Sequence, residues 1–203
     1  MLIGPRYKKA KKLGAHIFDK TQTQKFALRQ SMGKKDDKKR GRPKTDFGLQ
    51  LLEKQKARFT YGVNERQFSK YVKSIINKKG ANSPDTLVQI LESRLDNVVY
   101  RLGLANSRQA ARQMVSHGHI TINGRRNNIP SYGVIVGDKI GVSQRSLKNK
   151  LFADLENKIK EHNYPSWLKY DAAKKSYDVQ GMPKLANTEI MFNAASVIQF
   201  YSR

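Results

Sequence analysis

The chain has no cysteine among its 203 residues. Disulfides, cysteine nucleophiles and cysteine-ligated zinc are therefore excluded. No run of about 18 apolar residues occurs, so no membrane-spanning helix is expected. No signal-peptide pattern follows Met1. These absences suit a reducing interior, cytosolic or organellar. Acid is also scarce: 16 Asp and Glu stand against 40 Lys and Arg, a formal net charge of +24. A compact protein repels itself at that charge, which implies a polyanionic partner. Nucleic acid is the first candidate and an anionic membrane surface the second. Hydrophobic residues make up 38% of the chain, including 8 Phe and 9 Tyr. That supports packed but small cores, in one large domain or two small ones.

The positive charge is unevenly spread. Residues 1–44 hold 15 basic and 3 acidic residues, a net of +12. Residues 45–150 carry 18 against 7, and residues 151–203 only 7 against 6. The first two regions should meet the polyanion, and the near-neutral end should meet protein. Residues 1–44 read as a basic arm of little periodicity, unordered alone and ordered on nucleic acid. Its most charged part is GKKDDKKRGRPK, from Gly33 to Lys44.

From residue 45 onward the pattern turns helical. Thr45 or Asp46 is a plausible N-cap. Phe47, Leu51, Gln55 and Phe59 fall on successive turns, and Gly62 is a stop. Asn64 with Gln67 three residues later resembles a capping box. Phe68, Tyr71, Val72, Ile75 and Ile76 follow at helical spacing, with Arg66, Lys70 and Lys73 off that stripe. Ser83-Pro84 starts another helix. Its apolar face runs from Leu87 towards Leu102, with a kink or break near Asp96. Ser107 caps a helix that Gly118 ends, with Ala110, Ala111, Met114 and Val115 facing inward. Ile120 and Ile122 then alternate into Asn123-Gly124, a strong hairpin signal. A further strand is expected around Ile140 and Val142. The apolar terminus EIMFNAASVIQFYSR should dock on a domain.

SRQAARQMVSHGHITING, at the middle of the chain, decides between chemistry and binding. His117 and His119 lack nearby carboxylates, so a metal site has little support. HGHI differs in order and context from the HIGH signature of class I aminoacyl-tRNA synthetases, and no nucleotide-binding fold accompanies it. Arg108 and Arg112 share one helix face, as do Gln109 and Gln113 beside them. Arginine's planar fork suits phosphate. Arg94 and Arg101, seven apart, line the preceding helix. The alternative is a merely solvated charged face, which the net charge of +24 disfavours.

The stretch SRLDNVVYRLGLANSRQAARQMVSHGHITINGR resembles the RNA-binding domain named after small-subunit ribosomal protein four. That domain also occurs in pseudouridine synthases and some tyrosyl-tRNA synthetases. LQLLEKQKARFTYGVNERQF, the terminal FYSR and the early GPRYKKAKKLGA resemble the ribosomal family itself. The resemblance spans nearly the whole chain and is weakest over 20–44 and 165–190. Many members carry four cysteines in the arm, so this chain resembles a zinc-free, bacterial-type member.

The resemblance implies an α+β fold: a helical domain with an inserted RNA-binding domain, helix–turn–helix plus small antiparallel sheet, behind a basic arm. The expected boundaries are 1–44 for the arm, 45–91 with 181–203 for the helical domain, 92–155 for the RNA-binding domain and 156–180 for a connecting segment. It implies a non-enzymatic, cofactor-free and metal-free constituent of the small ribosomal subunit. Such a protein binds small-subunit ribosomal RNA directly, nucleates assembly of the subunit body and contributes to translational accuracy. Small-subunit protein five is the implied protein partner, with messenger RNA close by where it enters; no membrane contact or homo-oligomer is implied. Candidate RNA-binding residues are Lys8, Lys9 and Arg42 in the arm, and Lys54, Lys56, Arg58, Tyr61, Arg66, Lys70 and Lys73 in the helical domain. Arg94, Arg101, Ser107, Arg108, Gln109, Arg112, Gln113, His117, Asn123 and Arg125 complete the set. A pseudouridine synthase would need a further catalytic module, for which the rest is too short and too helical. A free regulator of messenger RNA is compatible with the same surface.

Overall fold

The computed structural model describes residues 4–32, 45–78, 83–149, 152, 164–171 and 176–202. They divide into two compact units: Met1–Leu87 with Glu189–Arg203, and Val88–Thr188.

The first unit is helical. Helices α1 (Arg6–Leu13) and α2 (Gln24–Met32) flank a single 3-10 turn. Ala10, Leu13, Ile17 and Phe18 are buried against Leu52 and Phe59. Residues 4–32 therefore fold onto the unit, rather than forming the unordered arm their charge suggested. The cause is that Ala10 and Leu13 on α1, and Ile17 and Phe18 after the Gly14 turn, give a lysine-rich segment enough apolar surface to pack on Leu52 and Phe59. The Gly33–Lys44 stretch lies outside the described residues.

Thr45 caps α3 (Asp46–Tyr61), its hydroxyl accepting from the Gly48 N–H at 3.3 Å. The helix ends at Gly62 in the left-handed region. Its buried face is Gln50, Lys54, Ala57 and Tyr61, not the expected line through Phe47 and Phe59. The rotation follows from α9 (Ala194–Tyr201), which packs on α3 and also touches α4 (Glu65–Ile76). Along α4 the expected stripe holds, with Phe68, Val72 and Ile75 buried. The Asn64 side chain makes no capping bond, and Gln67 donates instead to the Tyr71 hydroxyl. At the C-terminal end Phe192, Ala194 and Val197 are buried, with Phe192 edge-on to Tyr61.

The second unit combines short helices with a sheet, and the helix that leads into it begins in the first unit. Helix α5 (Ser83–Glu92) ends before Ser93-Arg94, and α6 (Leu95–Arg101) starts afresh. Arg94 pairs there with Gly133 in an isolated antiparallel bridge, and the Leu95 N–H donates to Tyr132 O at 2.8 Å. Those non-helical bonds account for the break near Asp96. Ser107 caps α7 (Arg108–Ser116) through Ala110 N.

Strands β1 (Ile120–Ile122) and β2 (Arg125–Arg126) form the expected hairpin. Asn123 and Gly124 both take positive φ, 52° and 79°, as a type I′ turn requires. Strand β3 (Lys139–Val142) pairs with β1 and leads into the short α8 (Gln144–Leu147). The stretch expected as a connection, 156–180, supplies β4 (Leu168–Asp171) and β5 (Ser176–Val179). The sheet order is β2-β1-β3-β5-β4, all antiparallel. Leu168, Tyr177 and Val179 alternate inward and join Ile120, Ile122 and Ile140 in one core with Leu95, Val98, Ala111 and Val115. Burying each large aliphatic side chain contributes roughly 1.5–3 kcal/mol.

Candidate nucleic-acid interface

In the first unit the candidate cations divide sharply by environment. Arg66, Lys70 and Lys73 project from α4 into solvent, at i, i+4 and i+7, on the face opposite Phe68 and Val72. None has an ion-pair partner among the described residues. Lys8 on α1 is likewise exposed, while the Lys9 ammonium sits 4.6 Å from the Phe59 ring centroid. Arg42 lies outside the described residues.

The α3 candidates are engaged within the protein. Lys56 bonds Glu53 at 2.6 Å. Lys54 is buried, 3.0 Å from Glu65 and 4.5 Å from the Phe200 ring centroid. Arg58 reaches the other Glu65 oxygen at 2.6 Å, and the Tyr201 hydroxyl donates to Glu65 Oε1 at 2.6 Å. Burial pushes the Glu65 carboxyl up. Hydrogen bonds from Tyr201, Arg58 and Lys54, with the Lys54 charge, outweigh this and hold it at about 2. Burial, the hydrogen bond to Glu65 and the Glu65 charge raise the Tyr201 phenol. Tyr61 is buried against Phe192. Tyr61 and Lys54 are therefore interior parts of the helical unit, a correction to their reading as RNA-facing residues. What misled was the spacing of α3, which did not show which face α9 covers.

In the second unit three motif arginines are tethered to acids and Arg108 to an amide. Arg94 is almost wholly buried, and its guanidinium grips Asp96 with two bonds, of 3.0 and 2.8 Å. Arg112 reaches the same carboxylate from α7, at 2.8 Å through Nε and 2.6 Å through Nη2. Arg101 forks onto buried Glu92 at 3.0 and 2.9 Å. Arg108 donates to Asn97 Oδ1 at 2.8 Å, with its guanidinium carbon 4.4 Å from the Tyr100 ring centroid. Asn97 in turn donates to Glu92 Oε2 at 2.8 Å. So Arg94 belongs to the interior, another correction, because Asp96 lies within its reach two residues on. Arg101, Arg108 and Arg112 are half-buried, held in fixed directions by partners on α5 and α6.

The remaining candidates separate in the same way. Gln109 and Gln113 are exposed on α7. Ser107 is a cap. Asn123 is a turn residue whose side chain donates to Asp138 at 2.8 Å and accepts from the Lys139 N–H at 2.9 Å. Both Ser107 and Asn123 thus hold local backbone. His117 and Arg125 are exposed. His117 lies 5.9 Å from the His119 ring, and its carbonyl accepts from Arg126 at 2.8 Å. The sequence reading passed over Arg126, Lys139 and Arg145, all exposed on or beside the sheet. The Arg125-Arg126 pair after an Asn-Gly turn was the available signal for the first of them. Among the described residues no three His, Asp or Glu side chains converge as a metal site, and no helix is long and apolar enough to cross a membrane.

Solvent-facing cations on α1, α4 and the β1–β2 hairpin, with oriented arginines on α7, define an α+β protein that binds a polyanion through its surface. Comparison with known sequences narrows the class. Residues 1–92 match the model for the ribosomal protein S4/S9 N-terminal domain, and residues 93–140 match the S4 domain. Small ribosomal subunit protein uS4 of Roseiflexus castenholzii is 43% identical over 203 residues, covering 99% of this chain and 98% of its own. The uS4 proteins of Herpetosiphon aurantiacus and Acetivibrio thermocellus are 48% and 45% identical, over 81% and 78% of this chain and 78% and 76% of theirs. The chain belongs to the small ribosomal subunit protein uS4 family. Its role is accordingly structural and rRNA-binding, at the ribosome, and not enzymatic.

Proposed function

We propose that the chain is a primary binder of 16S-type RNA, attaching to it directly, nucleating assembly of the subunit body and contributing to translational accuracy. The observation that supports this most is the contrast within its cations. Arg101, Arg108 and Arg112 are held in place by Glu92, Asn97 and Asp96. Oriented guanidinium groups select one folded arrangement of phosphates over others, and a ligand that prefers one conformer stabilises it. Folded RNA is read chiefly through its shape, phosphates and 2′-hydroxyls, so little base specificity is expected. The proposed contact set is Lys8, Lys9, Arg42, Lys56, Arg58, Arg66, Lys70, Lys73, Arg101, Arg108, Gln109, Arg112, Gln113, His117 and Arg125. The proposed division is a helical domain that includes residues 4–32 and an RNA-binding domain, with small-subunit protein five as protein neighbour, messenger RNA close by and the cytoplasmic ribosome as location.

The test is binding of the full chain to transcripts of small- and large-subunit rRNA at matched salt, followed by sedimentation of cell extract. Tight binding to the small-subunit transcript and co-sedimentation with the small subunit are expected. Equal affinity for both transcripts, with the protein free of ribosomes, would overturn the reading and favour a free messenger-RNA regulator.

A further inference from the structure

On the sheet side of the second unit lies an open groove of 1140 Å³. Arg126 of β2, Lys139 of β3 and Arg145 of α8 line it, together with His117 and His119, and no Asp or Glu among the described residues does. The three cations are exposed, and none is ion-paired among the described residues. This is the reverse of the α6–α7 face, where Glu92 and Asp96 pair with Arg101 and Arg112. Asp178 stands opposite Lys139 in the β3–β5 pair but is not ion-paired with it, and the described lining itself is of one sign, which raises the local positive potential that an anion relieves.

The groove is also shaped at close range. Gly118 has φ +71°, and a Cβ there would lie 1.8 Å from Arg126 Nε. The absence of a side chain at Gly118 lets the guanidinium lie against the backbone, where it donates to the His117 carbonyl at 2.8 Å. His119 is pinned, its Nδ1 2.8 Å from Ser146 Oγ and its ring edge-on to Phe152. The His117 ring stands beside it, exposed. A planar cation in a fixed place suits phosphate oxygens. An exposed imidazole plane suits the face of an unpaired base.

We infer that this groove holds a single-stranded segment of RNA, its phosphates on Arg126, Lys139 and Arg145 and one base stacked on His117. The inference rests on the rRNA-binding role of the chain and adds a contact surface distinct from the α7 face. An acidic peptide would satisfy the cations but leave the His117 plane unused. The chain's own 153–163 stretch is weakly acidic, with Asp154, Glu156 and Glu161 against Lys158 and Lys160.

The test measures affinity of the full chain for the small-subunit rRNA transcript as a function of salt. Lys139→Ala/Arg145→Ala should weaken binding about tenfold and flatten the slope of log affinity against log salt by roughly 1.4–1.8. Its melting curve should match wild type, since neither side chain is ion-paired. Arg126→Ala should act in the same direction, and the Lys139/Arg145 variant decides should Arg126→Ala disturb the Gly118 turn. His117→Ala should weaken binding and His117→Phe should restore it. Wild-type affinity and slope in the Lys139/Arg145 variant, with wild-type rRNA binding intact, overturn this inference alone. Tighter rRNA binding on deleting 153–163, lost again in the Lys139/Arg145 background, shows instead that the chain's own weakly acidic stretch occupies the groove, and also overturns it. A wild-type chain that fails to bind the transcript at all removes the rRNA reading on which both rest.

Discussion

Helix α4 and the α6–α7 pair carry similar numbers of basic residues and use them differently. On α4, Arg66, Lys70 and Lys73 stand in water with no ion-pair partner among the described residues. On α6–α7, Arg101 and Arg112 are bonded to carboxylates that are almost fully buried, Glu92 and Asp96. The first arrangement maximises charge and leaves direction loose, because exposed lysine stems rotate. The second gives up net charge for fixed direction. Burying Asp96 costs several kcal/mol in lost hydration, offset only if geometry and hydrogen bonds are good. Two arginines, Arg94 from below and Arg112 from α7, supply both. The same residue type at helical spacing thus yields a diffuse electrostatic surface in one unit and a positioned one in the other.

The strongest way to break this contrast is to remove the shared acid. Asp96→Ala removes the carboxylate that buried Arg94 and half-buried Arg112 share. A loss of about 3–5 kcal/mol in urea unfolding is expected, and a loss below about 1 kcal/mol would place Asp96 outside the scaffold. Arg108→Ala/Arg112→Ala comes next. It should destabilise by about 1–3 kcal/mol through lost charged hydrogen bonds, as well as weakening RNA binding. Salt titration of RNA binding beside a thermal melt separates the two effects.

Glu65 sharpens the comparison from the first unit, where it gathers Lys54, Arg58 and Tyr201. Its folded value is lowered from 4.5 to about 2. Its contribution is therefore present above 4.5 and is lost as pH falls towards 2. Glu65→Gln should lower stability by about 1 kcal/mol at neutral pH, with the gap to wild type closing through that acid window. A gap that stays constant in melts across the window would rule out the ionised carboxylate as its source. The smallest effect on stability belongs to Lys70→Ala/Lys73→Ala, within about 0.5 kcal/mol. The same variant should flatten the salt dependence of rRNA binding by roughly 1.4–1.8. An unchanged slope would leave α4 a solvated face with no RNA on it.

Much of the local structure was legible beforehand. Thr45 and Ser107 cap helices, Gly62 and Gly118 follow their ends, and Asn123-Gly124 turns the hairpin. Each acts on backbone a few residues away, so the chain's order alone sets the outcome. The α4 stripe was legible for the same reason, since one helix face needs only its own period. Net charge and the absence of cysteine limited the partner and excluded cysteine chemistry without any fold at all.

Tertiary structure alone decided which cations point outward. Lys54 is interior because Glu65, eleven residues on, and Phe200 meet it, and α3 turns Gln50 and Tyr61 inward because α9 arrives from the far end of the chain. Arg112 is tethered because Asp96, sixteen residues earlier, is brought beneath it. Strands β4 and β5 are strands because β3 offers its edge to β5. Caps and turns are settled by hydrogen bonds within a turn or two of chain. Ion pairing and the choice of buried face depend on which distant segments share space, and only the packed core settles that.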